Sequence, residues 1–203
     1  MRYISIIIPA LAIMLLISNS TRAADMVDKT NPATAILAGG CFWCIEADFE
    51  KLTGVIDVVS GYTGGTIKEP TYAQVSSGLS GHIESVKINF NPDIISYRKI
   101  LDFFWTHIDP TRNDGQFCDN GPQYRPAIFY LNETQKTTAL ESLRAIKKTK
   151  PFKEDIKVEL ISASTFYPAE QYHQDYYKKN PLRYRYYRFT CRRDARVEAL
   201  WGP

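Results

Sequence analysis

The run Leu37-Ala-Gly-Gly-Cys-Phe-Trp-Cys-Ile-Glu46 constrains this chain more than any other stretch. Ala33 to Ala38 before it is short and apolar, as in a buried strand. After it, Ile45, Phe49 and Leu52 recur at helical spacing, with Gly54 as a stop. Gly39-Gly40 therefore reads as a strand-to-helix turn with Cys41 at the helix N-terminus. Unpaired amide N–H groups and the positive end of the helix dipole favour a thiolate there. Cysteines so placed can titrate at about 3.5–7.5 instead of about 8.5. Cys44 lies one helical turn on, within disulfide reach. The pair predicts redox or nucleophilic thiol chemistry.

No structural metal is expected. A zinc site needs four ligands, and Cys118, Cys191, His82, His107 and His173 supply no second pair at matching spacing. A zinc-binding interaction module is the non-enzyme alternative. A thioredoxin-like thiol–disulfide oxidoreductase is the rival enzyme, since it too has a strand, a CxxC and a helix.

At the N-terminus, Met1-Arg-Tyr3, the apolar run Ile4 to Ile17 and the small-x-small site Thr21-Arg-Ala23 predict a signal peptide over residues 1–23. Residues 24–32 are a polar lead-in, and 33–203 form one catalytic domain with its C-terminal tail. The protein is thus expected outside the cytoplasm, in a periplasmic or other extracytoplasmic space. The formal charge of +3 falls to +1 without Arg2 and Arg22, so net charge makes no case for nucleic acid. Four cysteines fit an oxidising compartment.

Elements alternate without a regular βαβ rhythm, which predicts an α+β two-layer sandwich with a mixed, mostly antiparallel sheet. Strands are expected at Val55–Val59, His82–Phe90, Ala127–Leu131 and Ile156–Ile161, and short or long helices at Thr71–Ser77, Tyr97–Ile108, Asn132–Lys148 and Ala169–Lys179. Alternation along His82–Phe90 puts Glu84 on the face of Val86, Ile88 and Phe90. A carboxyl on that face is a proton donor near neutral pH if it is desolvated, and merely solvated if the strand end is exposed. Asp109 to Pro122 reads as a long polar loop carrying Cys118 and Asp119. The run Arg183-Tyr-Arg-Tyr-Tyr-Arg188 reads as a tail laid across the body, arginines in solvent and tyrosines packed.

Gly40-Cys-Phe-Trp-Cys44 with Glu46, Ser60-Gly-Tyr-Thr-Gly-Gly65, Pro70-Thr-Tyr72, Gly81-His-Ile-Glu84 and Gln123-Tyr-Arg-Pro126 together resemble the A class of peptide-methionine sulfoxide reductases. The resemblance runs from about Ala35 to the end of the chain. It implies a ferredoxin-like core, no bound cofactor, and reduction of the S-epimer of methionine sulfoxide, free or in proteins. It assigns attack to Cys41, proton donation to Glu84, supporting hydroxyls to Tyr72 and Tyr124, the methyl pocket to Phe42 and Trp43, and polar ordering to Asp119. Tyr62, Gln123 and His173 fall in matching stretches and read equally well as packing. Thioredoxin or a similar dithiol is the expected electron donor, and a monomer the expected state. Common family members have glycine at the position of Cys44, and some carry a glycine-rich tail with two recycling cysteines that this chain lacks. Local reach ranks Cys44 first as the resolving thiol, Cys191 second and Cys118 last, with packing the expected role of Cys118. A relay, Cys41–Cys44 first and Cys191 later, is the other route.

Overall fold

The computed structural model describes residues 32–202. The expected signal peptide and nearly all of the polar lead-in lie outside the described residues. In chain order the elements are β1 (Ala33–Ala38), α1 (Phe42–Phe49), β2 (Val55–Thr63), α2 (Tyr72–Ser76), β3 (Ile83–Phe90) and α3 (Tyr97–Trp105). A small hairpin follows, β4 (Gly115–Gln116) and β5 (Asp119–Asn120), then β6 (Ala127–Tyr130), α4 (Glu133–Thr149), β7 (Glu159–Ser162) and β8 (Tyr167–Pro168). The chain ends in α5 (Tyr176–Lys179), α6 (Pro181–Thr190) and α7 (Arg193–Trp201). Among the described residues, no helix is long and apolar enough to cross a membrane.

The main sheet has six strands in the order β7-β6-β1-β3-β2-β8. Its pairs are antiparallel except for β6 with β7. Strands β6-β1-β3-β2 with α1 and α3 as crossovers form the split βαβ arrangement of a ferredoxin-like core. The expected mixed, mostly antiparallel α+β sandwich is therefore the observed one.

Alternation along the central strands separates the two faces. Leu37, Val86, Ile88 and Phe90 pack with Phe42, Ile45 and Phe49 of α1 and Ile100, Leu101, Phe104 and Trp105 of α3. Ile36, Ala38, Ile83 and Phe129 point the other way, under Ile161, Ala163 and Phe166. The Trp105 indole N–H donates to Ser142 Oγ at 2.8 Å, so the one polar atom of that ring is satisfied inside the core. Asn132 caps α4 as expected, its side chain accepting from the Gln135 N–H at 2.9 Å.

Several local expectations need correction. The second strand runs on through Gly61 to Thr63, because β8 and β3 pair on either side of it. The long polar loop folds back on itself as the β4–β5 hairpin. Only Tyr176–Lys179 of the expected Ala169–Lys179 helix is helical; the preceding residues are held in turns by side chains of other elements. Asp175 N–H, for example, donates to Glu46 of α1 at 3.0 Å. The tail does lie across the body, as helices α6 and α7, which bury Tyr184, Arg193 and Leu200.

Candidate active site

The Gly39-Gly40 turn sets the nucleophile. Gly40 has φ +88°, and a Cβ on it would lie 2.6 Å from Gln116 Cβ. Only glycine fits both the left-handed backbone and the contact. Cys41 then occupies the N-cap position of α1. Helix α1 begins with its Phe42 N–H donating to Glu84 Oε2 at 3.2 Å. One strand-borne carboxyl thus serves as cap for the helix that carries the thiol.

Around this point a cavity of about 70 Å³ is lined by Cys41, Phe42, Trp43, Tyr72, Glu84, Asp119, Tyr124 and Tyr187. All of the residues expected for attack, proton donation, hydroxyl support and methyl binding are brought together. Tyr187 is the member that sequence reasoning missed. Its hydroxyl donates to Asp119 Oδ2 at 2.6 Å, and its ring meets Trp43 edge-on. The only signal for it was the aromatic run 183–188, whose tyrosines are interchangeable to the eye until the helix phase is known.

Glu84 is 2 % exposed, and burial pushes its carboxyl up to about 8 against the partial relief of the Phe42 N–H. At neutral pH it is a neutral acid. Its Oε2 accepts from Phe42, which leaves the other oxygen to carry the proton. Of the two readings of this strand end, the desolvated one is observed. The side chains of Tyr72 and Tyr124 both line this cavity. Burial raises both phenols, Tyr72 to about 12, so both remain donors.

Besides the Tyr187 edge, two further contacts fix Trp43. It stacks on Tyr176 with ring centroids 3.7 Å apart and nearly parallel planes. Its indole N–H donates to His173 Nδ1 at 3.0 Å. His173 is buried and its pKa is lowered by desolvation, so it is a neutral ring with the proton on Nε2. Tyr62 is held from behind: its hydroxyl and the Tyr72 N–H both donate to Glu170, each at 2.8 Å. Gln123 bridges to Ser76 O at 3.0 Å, a packing role.

The cysteines depart from expectation in two ways. Cys118 is not a packing residue. It forms a disulfide with Cys191, which ties the loop beside Asp119 to the C-cap of α6. Neither sulfur is then available as a zinc thiolate beside Cys41 and Cys44. The second departure concerns acidity. Cys41 is raised well above the usual thiol range, first by burial, then by its hydrogen bond to Cys44 and by Glu84 and Asp119 nearby. Desolvation outweighs the helix terminus that was expected to acidify it. Cys44 is lowered, by that same hydrogen bond and by the charges of Arg193 and Arg188.

Comparison with known proteins agrees with this geometry. The family described as Peptide methionine sulfoxide reductase matches residues 33–203. The peptide methionine sulfoxide reductase MsrA/MsrB of Vibrio cholerae is 50% identical over 189 residues, which cover 92% of this chain and half of that longer relative. The MsrA of Halalkalibacterium halodurans is 48% identical over 168 residues, covering 83% of this chain and 96% of its own. Among solved structures, reduced Mxr1 of Saccharomyces cerevisiae superposes with a TM-score of 0.71 at 28% identity, covering 76% of this chain and 88% of that one. Methionine sulfoxide reductase A of Corynebacterium diphtheriae gives 0.65 at 27% identity, covering 76% and 78%. The chain belongs to the peptide methionine sulfoxide reductase family, as one of its A-class oxidoreductases.

Proposed function

We propose that this protein reduces the S-epimer of methionine sulfoxide, free and in oxidised proteins, to methionine, and that a dithiol protein of the thioredoxin type returns the electrons. The observation that carries the reading is a buried thiol and a neutral carboxylic acid facing one small cavity with aromatic walls. Phe42 and Trp43 take the methyl group, since an apolar wall accepts CH₃ and rejects a polar group. Tyr72 and Tyr124 donate to the sulfoxide oxygen, and Glu84 supplies the proton as that oxygen leaves sulfur. The Cys41 sulfur attacks, the S–O bond breaks, and the oxygen ends on Cys41 as sulfenic acid. Cys44 then attacks the Cys41 sulfur and expels water, giving a disulfide. No bound cofactor enters any step.

The rival reading, general dithiol exchange, requires thiols that a partner disulfide can reach. Cys41 is 6 % exposed and Cys44 2 %. Buried as they are, both favour a small substrate group over a protein disulfide. Recycling through the tail would need the dithiol protein first to reduce Cys118–Cys191, whose Cys118 is exposed, before that thiol pair could exchange with Cys41–Cys44. Export to an oxidising space rests on residues 1–23 and on the same disulfide; the mass of the mature N-terminus in the native host tests it. A monomer is proposed as the working state.

The deciding experiment is mass spectrometry with peptide mapping after one equivalent of methionine sulfoxide. One methionine and a Cys41–Cys44 disulfide are expected. Cys44→Ser should form one methionine, stall as a sulfenic acid and lose turnover with a dithiol protein. Methionine formed by Cys41→Ser would refute the assignment of the nucleophile. Cys41 found joined to Cys191, with normal recycling in Cys44→Ser, would move the resolving role to the tail.

A further inference from the structure

A buried acid, Glu46, has no role in the steps above. It is 1 % exposed and lies on α1 three residues beyond Trp43, so the two side chains share one helix face. Burial pushes its carboxyl up to about 7, against the relief of two hydrogen bonds. Ser60 Oγ of β2 donates to Oε2 at 3.1 Å, and the Asp175 N–H donates to Oε1 at 3.0 Å. One carboxyl thus bridges β2 to the segment that leads into α5.

That segment, Ala169 to Tyr176, carries two partners of Trp43. His173 Nδ1 accepts the indole N–H, and Tyr176 stacks on the ring. Between them Asp175 has a left-handed backbone with φ +54°, which a residue other than glycine holds only where its surroundings fix it. The N–H that Glu46 accepts is the one at this strained point. Gln174 ties the same segment to the backbone of Ser60, accepting from its N–H at 3.0 Å and donating to its carbonyl at 2.9 Å. Farther along, Lys178 pairs with Glu50 at 2.6 Å, but that lysine is half exposed and its ion pair is screened by solvent. Glu46 is the buried tie.

We infer that Glu46 is a positioning residue for sulfoxide reduction: it latches the Ala169–Tyr176 segment to α1 and β2, and so holds the Trp43 wall at the width of a methyl group. The inference rests on the assignment of Trp43 to the methyl pocket. The latch works by geometry, not by charge. An ionised carboxylate accepts both bonds. A neutral carboxyl can accept from Asp175 and donate to Ser60 Oγ, since a hydroxyl takes either role, and an amide can do the same. Cys41 and Glu84 stand on other supports, the Gly39-Gly40 turn and β3, whereas the bonds of the latch end on Ser60 and Asp175. Loss of the latch should therefore weaken binding and methyl selectivity before it touches the chemistry.

The test compares Glu46→Ala, Glu46→Asp and Glu46→Gln in the full protein, with methionine sulfoxide and with ethionine sulfoxide, which has one more methylene on sulfur. Wild type should favour the methyl substrate by about 10–200-fold in kcat/KM, the usual worth of one methylene in a fitted pocket. Glu46→Ala should raise KM for methionine sulfoxide by about fivefold or more and leave kcat within about twofold, the pattern of lost binding. Its methyl preference should fall by about fivefold or more. Acrylamide should quench its indole emission more than that of wild type, a difference absent in a Trp43→Phe background. Glu46→Asp keeps the charge but is one methylene short of both donors, so it should move every reading the same way; it carries the test should Glu46→Ala not fold. Glu46→Gln should keep the wild-type KM and methyl preference. Wild-type KM and methyl preference in Glu46→Asp, or a Glu46→Gln as impaired as Glu46→Ala, would overturn the inference. A wild-type protein that reduces no sulfoxide, with quenching still sensitive to Glu46, would instead refute the proposed function and leave the latch intact.

Discussion

Replacing Glu84 by glutamine tests catalysis and folding with one substitution, because the burial that makes Glu84 an acid also costs stability. Its carboxyl titrates at 4.5 when exposed and at about 8 in the fold. At pH 7 the folded protein holds a proton that the unfolded chain has released, which costs on the order of 3 kcal/mol at about 1.4 kcal/mol per pH unit. The sign follows from the raised value. The contribution is fully present below 4.5, is lost as pH climbs towards 8, and is level above it. Glutamine keeps the shape and an oxygen for the Phe42 N–H but has no proton to lose. The variant's stability relative to wild type should therefore rise steadily between about pH 4.5 and pH 8. Urea unfolding across that range reads the difference directly. Single-turnover methionine formation should meanwhile fall by about 10²–10⁴, the usual loss for a positioned general acid. Parallel stability curves for the two proteins, or a near-normal rate at neutral pH, would refute a neutral, inward-facing Glu84.

Other outcomes follow from neighbouring contacts. Wild-type single-turnover reduction should decline above about pH 8 as Glu84 loses its proton, a decline absent from the residual activity of Glu84→Gln. Gly40→Ala should destabilise the fold by about 2–4 kcal/mol, from the left-handed backbone and from crowding against Gln116, and should slow Cys41 alkylation; thermal melts and iodoacetamide kinetics check both. His173→Phe leaves the Trp43 indole N–H without its partner at a cost of about 1–3 kcal/mol, and should raise KM for methionine sulfoxide more than it lowers kcat.

What was legible in the sequence was what local pattern determines. Two-residue alternation placed Glu84 on the core face of β3, and helical spacing after Gly40 placed Cys41 at a helix start, both as observed. The order of strands followed from the resemblance, because hydrophobic pattern alone does not say which strand pairs with which. The residues that pattern missed were carried in by the tail. Tyr187 and Arg193 reach the site from α6 and α7, and Cys118 meets Cys191 across 73 positions of sequence. An arginine in a basic and aromatic C-terminal tail, as Arg193 is, reads as solvated, since solvation is the ordinary fate of a charge. Its burial becomes intelligible only from the other side, where Gly39 and His107 present carbonyls to its guanidinium.

The misjudged acidity of Cys41 has the same origin. Helix position is local and favours the thiolate, whereas desolvation depends on how completely the rest of the chain closes over the sulfur. Here the closure wins, and it is useful to the reaction. The walls that exclude water from Cys41 also keep Glu84 protonated, so nucleophile and acid are each held in their neutral forms until the substrate arrives. A family member with glycine at the position of Cys44 would have to resolve its sulfenic acid with another thiol, which makes turnover in Cys44→Ser a test of how far this chain's chemistry is its own.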